Sequence, residues 1–360
     1  MRDGRLILDV IHKNFGNSSE FSGSFPQLVS AGPVYINRGC ELVEDTTTTA
    51  FAGLPGVSEV RQHRRIVTKW AGKMISTATY EGQVIIAIAD AMTAYNAAYE
   101  KCKVLHGNIT DRAILFKESA DGVTGLLAEF DYATLLSDTG NAVKPELPEL
   151  SMFWPIHRLE GAVVPHTRLG DCESLLYLVC VLGGAKKFAE VVKKRYARRH
   201  PKVLRIKEWN TGATEDIAIS KRNHTETMRT FGRNILSEMK LHPSLSDLAV
   251  DIYKVLFQHP SLSDNSEDVV DPLVFRYPFE AEIVANLLKV LEDHRQRAIK
   301  VRAAREAKAA AAAEAAREAA APTAPSSAAG PSKRRRMVEI PLTGPAASTR
   351  LKTSHKSHKV

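Results

Sequence analysis

The stretch DCESLLYLVCVLGG, residues 171–184, does most to limit what this chain can become. After its acidic start it is apolar on every side, and a helix with no polar face to turn to water belongs at the centre of a domain. Its apolar run, Leu175 to Leu182, is the longest in the chain and far shorter than the roughly 20 residues that cross a bilayer. Its surroundings are therefore a protein core, and membrane insertion is not expected. With 44% hydrophobic residues among 360, the chain has ample material for such a core.

A second helix is written in periodicity. From Glu81 to Lys103 the apolar groups Val84, Ile88, Met92, Tyr95, Tyr99 and Cys102 recur at spacings of 4, 4, 3, 4 and 3, which draws one stripe along one helix face. Upstream, residues 24–52 read as extended segments and turns, with Pro and Gly around short apolar pieces and a β-branched EDTTTTAF. HRRIVTKWAG reads as a further strand leading into a linker. Downstream of the helix, VLHGNITDRAILF and GVTGLLAEFDYATLL flank a turn at Ala120-Asp121-Gly122, which predicts a hairpin of short strands. DTGNAVKPELPEL has the composition of an exposed loop. Helical patterns follow at Thr225 to Met239, Ser246 to Phe257 and Pro278 to Ala298. AREAKAAAAAEAAREAAAP has strong helix propensity without an apolar stripe and reads as a solvated continuation of the last helix. Beyond Pro322 the chain is Pro/Ala/Ser-rich and basic, a composition that predicts disorder.

The net charge of +8 is not spread evenly. Residues 301–360 hold 12 Lys/Arg and 4 Asp/Glu, and subtraction from the totals of 49 and 41 leaves 37 of each sign in residues 1–300. The body is formally neutral, so the basic balance does not argue for a nucleic-acid-binding domain. Within the tail, PSKRRRM places Lys333, Arg334, Arg335 and Arg336 side by side. Four consecutive cations in an extended chain suit the acidic groove of a nuclear-import receptor, so nuclear residence is expected, with a cytoplasmic location and a merely solvated tail as the alternatives. Any nucleic-acid binding through this tail is expected to be non-specific and salt-sensitive. His355 and His358, three apart in the same tail, are weak metal-ligand candidates. Cys40, Cys102, Cys172 and Cys180 show neither a C-x-x-C pair nor a zinc spacing, and a reducing compartment is the default. MRDGRLILDVIHKNF, with an Asp and a Lys in its short apolar stretch, does not read as a signal peptide.

The order of these elements resembles the C-terminal lobe of a protein kinase, and more closely the fungal-type protein kinase family. The stretches that carry the resemblance are RQHRRIVTKWAGKMI as hinge strand and linker, ADAMTAYNAAYEKCKVLHGNIT as the helix into the catalytic loop, and GLLAEFDYA as the metal loop. HTRLGDCESLLYLVCVLGG is similar to the family's D-x-E-S-x-x-Y helix, and IKEWNTGATEDIAISKR to its W…K segment. Together they span roughly residues 24–295. The resemblance implies an α+β, protein kinase-like fold. Its expected parts are a truncated β lobe and hinge over residues 1–75, a mostly helical lobe over 76–300, an Ala-rich helical extension over 301–321 and a disordered basic tail over 322–360.

Laid over the family's H-R-D-x-x-x-x-N loop, His106 keeps the histidine, while Gly107, Asn108 and Ala113 stand where the arginine, the catalytic aspartate and the metal-binding asparagine would be. A kinase aspartate takes the substrate hydroxyl proton; an asparagine accepts a hydrogen bond but does not take up that proton at neutral pH. Losing a general base costs about 10² to 10⁴ in rate, and Ala113 has no atom to offer magnesium. In the D-F-[GD]-x-A metal loop, Glu129 retains a carboxylate with a longer arm, which leaves weak magnesium and ATP binding open. Upstream of Lys69 the single lysine is Lys13, and Gly16 and Gly23 do not fit G-x-G-x-x-G. This is expected either of a truncated small lobe or of a reading frame that lacks its start. His157 sits at or near the acidic place of the Ala-Pro-Glu type segment. Asp171 matches the aspartate that, in kinases, anchors the catalytic-loop backbone, and His106 matches one that packs within that loop.

The reading is a catalytically impaired pseudokinase that works as a binding or regulatory scaffold for an unknown protein partner. Two enzyme alternatives stand beside it. One is an active ATP-dependent serine/threonine kinase that uses Glu129 with a substrate-supplied base. The other is a small-molecule kinase, because LHGN is similar to the H-G-D loop of aminoglycoside phosphotransferase-like enzymes, although the aspartate and downstream asparagine of that loop are missing.

Overall fold

The computed structural model describes residues 4–15, 21, 23–38, 41–46, 63–69, 71–136, 151–161, 166–184, 205–240, 242–258 and 278–320. They are mostly helical with four small antiparallel sheets, compatible with a kinase-like α+β fold. The chain divides into a compact unit, Met1–Ala309, and a second unit, Ala310–Val360. No described helix is long and apolar enough to cross a membrane. Cys40, Gly16, the 137–150 loop, the Lys333–Arg336 cluster and His355 and His358 lie outside the described residues.

The first residues, to which the sequence patterns assigned no element, form helix α1 (Gly4–Phe15). Ile7, Leu8, Ile11 and Phe15 recur at helical spacing, and all four are buried. The extended region resolves into β1 (Leu28–Pro33), β2 (Tyr35–Arg38), β3 (Glu41–Glu44) and β4 (Arg64–Thr68). β1 pairs with β4 through a register shift between Leu28 and Ser30, and β2 pairs with β3 with Tyr35 opposite Glu44. β5 (Lys73–Met74) then leads into helix α2 (Glu81–Cys102).

α2 departs from the one-stripe expectation. Val84, Ile88, Met92 and Tyr95 are buried, but so are Ile85, Ile86, Ala87, Ala89, Ala91, Ala94 and Ala98. The alanines allow neighbours to close in on faces that a stripe-based reading leaves to water. After Cys102 the chain turns at Lys103 in a left-handed conformation, with φ 53°, and its N–H bonds back to the Tyr99 carbonyl at 2.9 Å. β6 (Val104–Leu105), β7 (Ile114–Ser119) and β8 (Gly122–Leu127) follow, then β9 (Thr134–Leu135). β7 and β8 are the expected hairpin, with Ser119 opposite Gly122, and β5 pairs on the outer edge of β7. β8 lies against α2 at Gly125, where an added Cβ would stand 2.2 Å from the Ala87 carbonyl oxygen. The Gly125 amide donates to Asp90 Oδ2 at 2.8 Å, and Arg295 Nε donates to Asp90 Oδ1 at 2.6 Å. One aspartate therefore joins the sheet, α2 and the C-terminal helix.

Beyond the short α3 (Ile156–Leu159), helix α4 (Arg168–Gly184) runs through the middle of the core, with 15 of its 17 residues buried. It starts three residues before the expected Asp171 because the Thr167 hydroxyl accepts from the Gly170 amide at 3.1 Å and so caps the first turn. The carboxylate of Glu173 accepts from the Tyr177 hydroxyl at 2.7 Å and from the Ile156 amide at 2.8 Å. Lys221, fully buried, donates to the Trp154 carbonyl at 2.5 Å and lies 3.9 Å from the centre of the Tyr177 ring, which itself meets Trp209 edge-on at 5.0 Å. Burial drives the Lys221 ammonium well below its ordinary pKa, against the pull of Glu173. The residues of the D-x-E-S-x-x-Y and W…K stretches thus meet in one buried cluster.

The 225–239 pattern is not one helix. α5 (Thr214–Thr225) precedes it, and α6 (Met228–Phe231) passes into a π-helical turn, Gly232–Leu236. α7 (Pro243–Phe257) packs on α4. α8 runs unbroken from Glu280 to Ala320, and its described side chains from 303 to 317 are exposed.

Candidate functional site at the loop after helix α2

The loop between β6 and β7 is shaped by Asp171, which is fully buried beneath it. Its Oδ2 accepts from the Tyr95 hydroxyl at 2.7 Å and the His106 amide at 3.1 Å, and its Oδ1 accepts from the Gly107 amide at 3.0 Å and meets His166 Nε2 at 2.9 Å. Burial alone pushes this carboxyl up, but the charge and hydrogen bond of His166, with His106 and the Tyr95 hydroxyl, hold it below its ordinary value. Carboxylates in such a ring of donors form charge-assisted bonds, the stronger kind.

His106 is fully buried and has both nitrogens engaged. Nε2 donates to the Ala128 carbonyl at 2.8 Å, and Nδ1 accepts from the Asn108 amide at 3.3 Å, an arrangement that requires the neutral ring. Burial lowers its pKa, against the nearby Asp171 charge. Its ring meets Phe130 edge-on at 5.0 Å; Phe130 lies 6.1 Å from Phe25, and Phe25 5.7 Å from Phe15 of α1. A ladder of rings thereby ties α1 and the chain before β1 to both loops, each contact worth about 0.5–1.5 kcal/mol beyond area burial.

Gly107 has φ 75°, and a Cβ there would lie 2.9 Å from the Tyr132 carbonyl oxygen. No arginine side chain fits at that place. An arginine reaches the loop from another element instead, as Arg158 of α3 donates from Nη1 to the Gly107 carbonyl at 2.8 Å. Asn108 is half-buried, and its side-chain Oδ1 is shielded from water without a hydrogen-bond partner among the described residues. Ala113 is fully buried, its amide turned to Thr110 and its carbonyl accepting from the Ala128 amide at 2.7 Å. Glu129 is exposed in a left-handed conformation at φ 58°, opening the turn Phe130–Tyr132. Surrounding protein atoms, then Asp131, push its carboxyl up; Arg112 opposes them and Asp111 adds to them.

The model of the family described as fungal protein kinase matches residues 14–182. Residues 14–182 belong to the fungal protein kinase family. No curated protein matches the chain significantly. The kinase match runs from the end of α1 through most of α4, and it takes in the loop, the Phe130–Tyr132 turn and Asp171. The W…K segment lies past its end.

Seen as a kinase site, the loop offers magnesium fewer protein ligands than the family pattern has. Magnesium needs near-octahedral oxygen ligation at about 2.0–2.1 Å, whereas Ala113 presents a buried methyl group. Among the described residues no group of three or more His, Cys, Asp or Glu side chains could hold a metal ion. Glu129 carries a carboxylate close enough to Asp131 and Asp111 for their charges to push it up, with Arg112 opposing them. The structure brings Asp171 of α4 beneath the loop that holds His106 and Asn108, and places Glu129 at the start of the Phe130–Tyr132 turn. His157 is buried on α3 beside His166, both bordering the space over Gly170. Sequence patterns missed Tyr95, Arg158 and His166 as partners of this loop. Tyr95 was hidden in an apolar stripe, and the other two have meaning only once α3 and α4 are folded against the loop.

Proposed function

We propose that this fungal-kinase chain has given up phosphotransfer and works by binding a partner, or as a regulatory scaffold, through its folded surface. The observation that carries the reading is the contrast between the loop's frame and its chemistry. Asp171, His106 and Arg158 hold the loop's main chain through hydrogen bonds, while an amide stands at the proton acceptor's place and a buried methyl at the magnesium ligand's. An amide at 108 can orient a hydroxyl but not deprotonate it.

A thermal-shift titration with ATP, with and without magnesium, tests this directly. A ligand at 100 times its Kd adds about 2.7 kcal/mol to stability. We expect no magnesium-dependent shift at millimolar ATP, and a shift of several degrees that appears when magnesium is added would overturn the reading. A second expectation concerns the loop alone. Asn108→Asp supplies the missing carboxylate but leaves Ala113 unable to hold magnesium, so transfer of labelled phosphate to a generic protein substrate stays at background. Robust activity in that single variant would show that magnesium has ligands the reading overlooks.

A further inference from the structure

A groove of about 660 Å³ lies along α8, against the start of α2, the first turn of α7 and the end of β7. It shares no residue with the loop at Asn108 and stands whether or not that loop transfers phosphate. Its volume is in the range of ligand sites, about 300–1,000 Å³. The floor is apolar, made by Ile85, Ala298 and Val301, and Val301 is 52% exposed. Several charges on its walls are already committed. Glu81 accepts from the Ser244 and Leu245 amides at 2.7 and 3.3 Å and so caps α7. Glu306 accepts from Arg302 Nε at 2.6 Å, and Glu118 accepts from Gln83 Nε2 at 3.1 Å.

Two cations, with the exposed Asp247 of α7, are left to face a ligand. The Arg305 guanidinium makes no hydrogen bond or ion pair among the described residues, and Arg297 donates only to the main-chain carbonyl of Asp293, at 3.2 Å. Both side chains are exposed. They stand eight positions apart on one helix, which at 1.5 Å per residue is about 12 Å. An extended peptide advances about 3.3 Å per residue and returns every second side chain to the same face. Side chains four apart on a strand are therefore about 13 Å apart, with one between them. This matches the two arginines at the ends and the apolar floor at the middle.

We propose that the groove is a docking site for an extended segment of a partner protein with the pattern acid-x-apolar-x-acid. The acids meet Arg297 and Arg305, and the central side chain covers Val301 and Ala298. The test is fluorescence polarisation of the full chain with a labelled peptide bearing Glu-Ser-Leu-Ser-Glu between glycines. Saturable binding with a Kd of about 10–100 μM, weakened by added salt, is the expected result for a site of this size with two exposed ion pairs. The same peptide with Lys for both Glu, or Ser for Leu, should bind at least about tenfold more weakly. Arg297→Glu with Arg305→Glu should weaken the acidic peptide and strengthen the lysine one, a reversal that a folding defect cannot imitate. Because all three side chains are exposed, Val301→Asp provides a second variant that keeps the fold and loses the apolar contact. Equal binding of the Glu and Lys peptides, indifference to the double charge reversal, or no saturation up to about 1 mM would each overturn the proposal.

Discussion

Asp171→Ala is expected to lower stability by about 4 kcal/mol, seen as a fall in melting temperature of about 10 °C or as a chain that no longer purifies folded. The carboxylate is fully buried and accepts from Tyr95 and the amides of His106 and Gly107, with His166 at 2.9 Å. Its removal strands all these groups together, and each buried group left without a partner costs about 1–3 kcal/mol. Domains of ordinary stability have only about 5–15 kcal/mol to lose. Tyr95→Phe removes a single donor and should cost about 1 kcal/mol. The pH dependence has a definite sign. Because the folded carboxyl sits below its ordinary value of 3.8, the unfolded chain binds this proton more readily. The stabilisation is therefore complete above about pH 4 and is lost as pH falls through the folded value. Urea melts of the wild type and of Asp171→Asn should differ widely at neutral pH and converge in acid. A gap that does not begin to narrow as pH falls below about 4 would show that the carboxylate charge is not what supports the loop.

Gly125→Ala is the second large effect. The new methyl would lie 2.2 Å from the Ala87 carbonyl oxygen, 2.6 Å from its Cα and 2.8 Å from its carbonyl carbon. All three are main-chain atoms, so no rotamer change relieves the clash. Overpacking costs typically about 1–3 kcal/mol; at this contact we expect the upper end or beyond, because β8 must lift off α2 and the bond from Gly125 to Asp90 lengthens with it. Ala87→Gly should not rescue the variant, since the side chain of Ala87 is not what the methyl meets. Rescue by that second change would mean that the strand approaches the helix differently.

How far the sequence alone reached depended on whether the deciding contact was local. Residues 81–103 announced α2 to within one residue because the pattern and the left-handed turn at Lys103 are properties of that segment. The hairpin of β7 and β8 was legible for the same reason, from two apolar runs about a turn. α1 went unread although Ile7, Ile11 and Phe15 carry a helical spacing, since the segment is short and its burial comes from packing on α2, β1 and the Phe130–Tyr132 turn. The wrapping of α2 was not legible because it depends on alanines being approached from several sides. In the loop, the changed residues at 107, 108 and 113 could be identified by resemblance. What could not be read was why glycine stands at 107: the reason is the Tyr132 carbonyl, 25 residues away in sequence and 2.9 Å from where a Cβ would be.

The loop at Asn108 is held by its amides and carbonyls, through Asp171, His106 and Arg158, and not by the side chain at 108 itself. That side chain's oxygen has no hydrogen-bond partner among the described residues. A buried oxygen without a partner costs about 1–3 kcal/mol, so position 108 takes from folding stability, and a mutational scan that scores only folded yield should favour small apolar residues there. Selection for folding alone would keep no polar side chain at 108, and still less an aspartate, whose charge loses more on burial, so a proton acceptor there would have to be held by the protein's work in the cell.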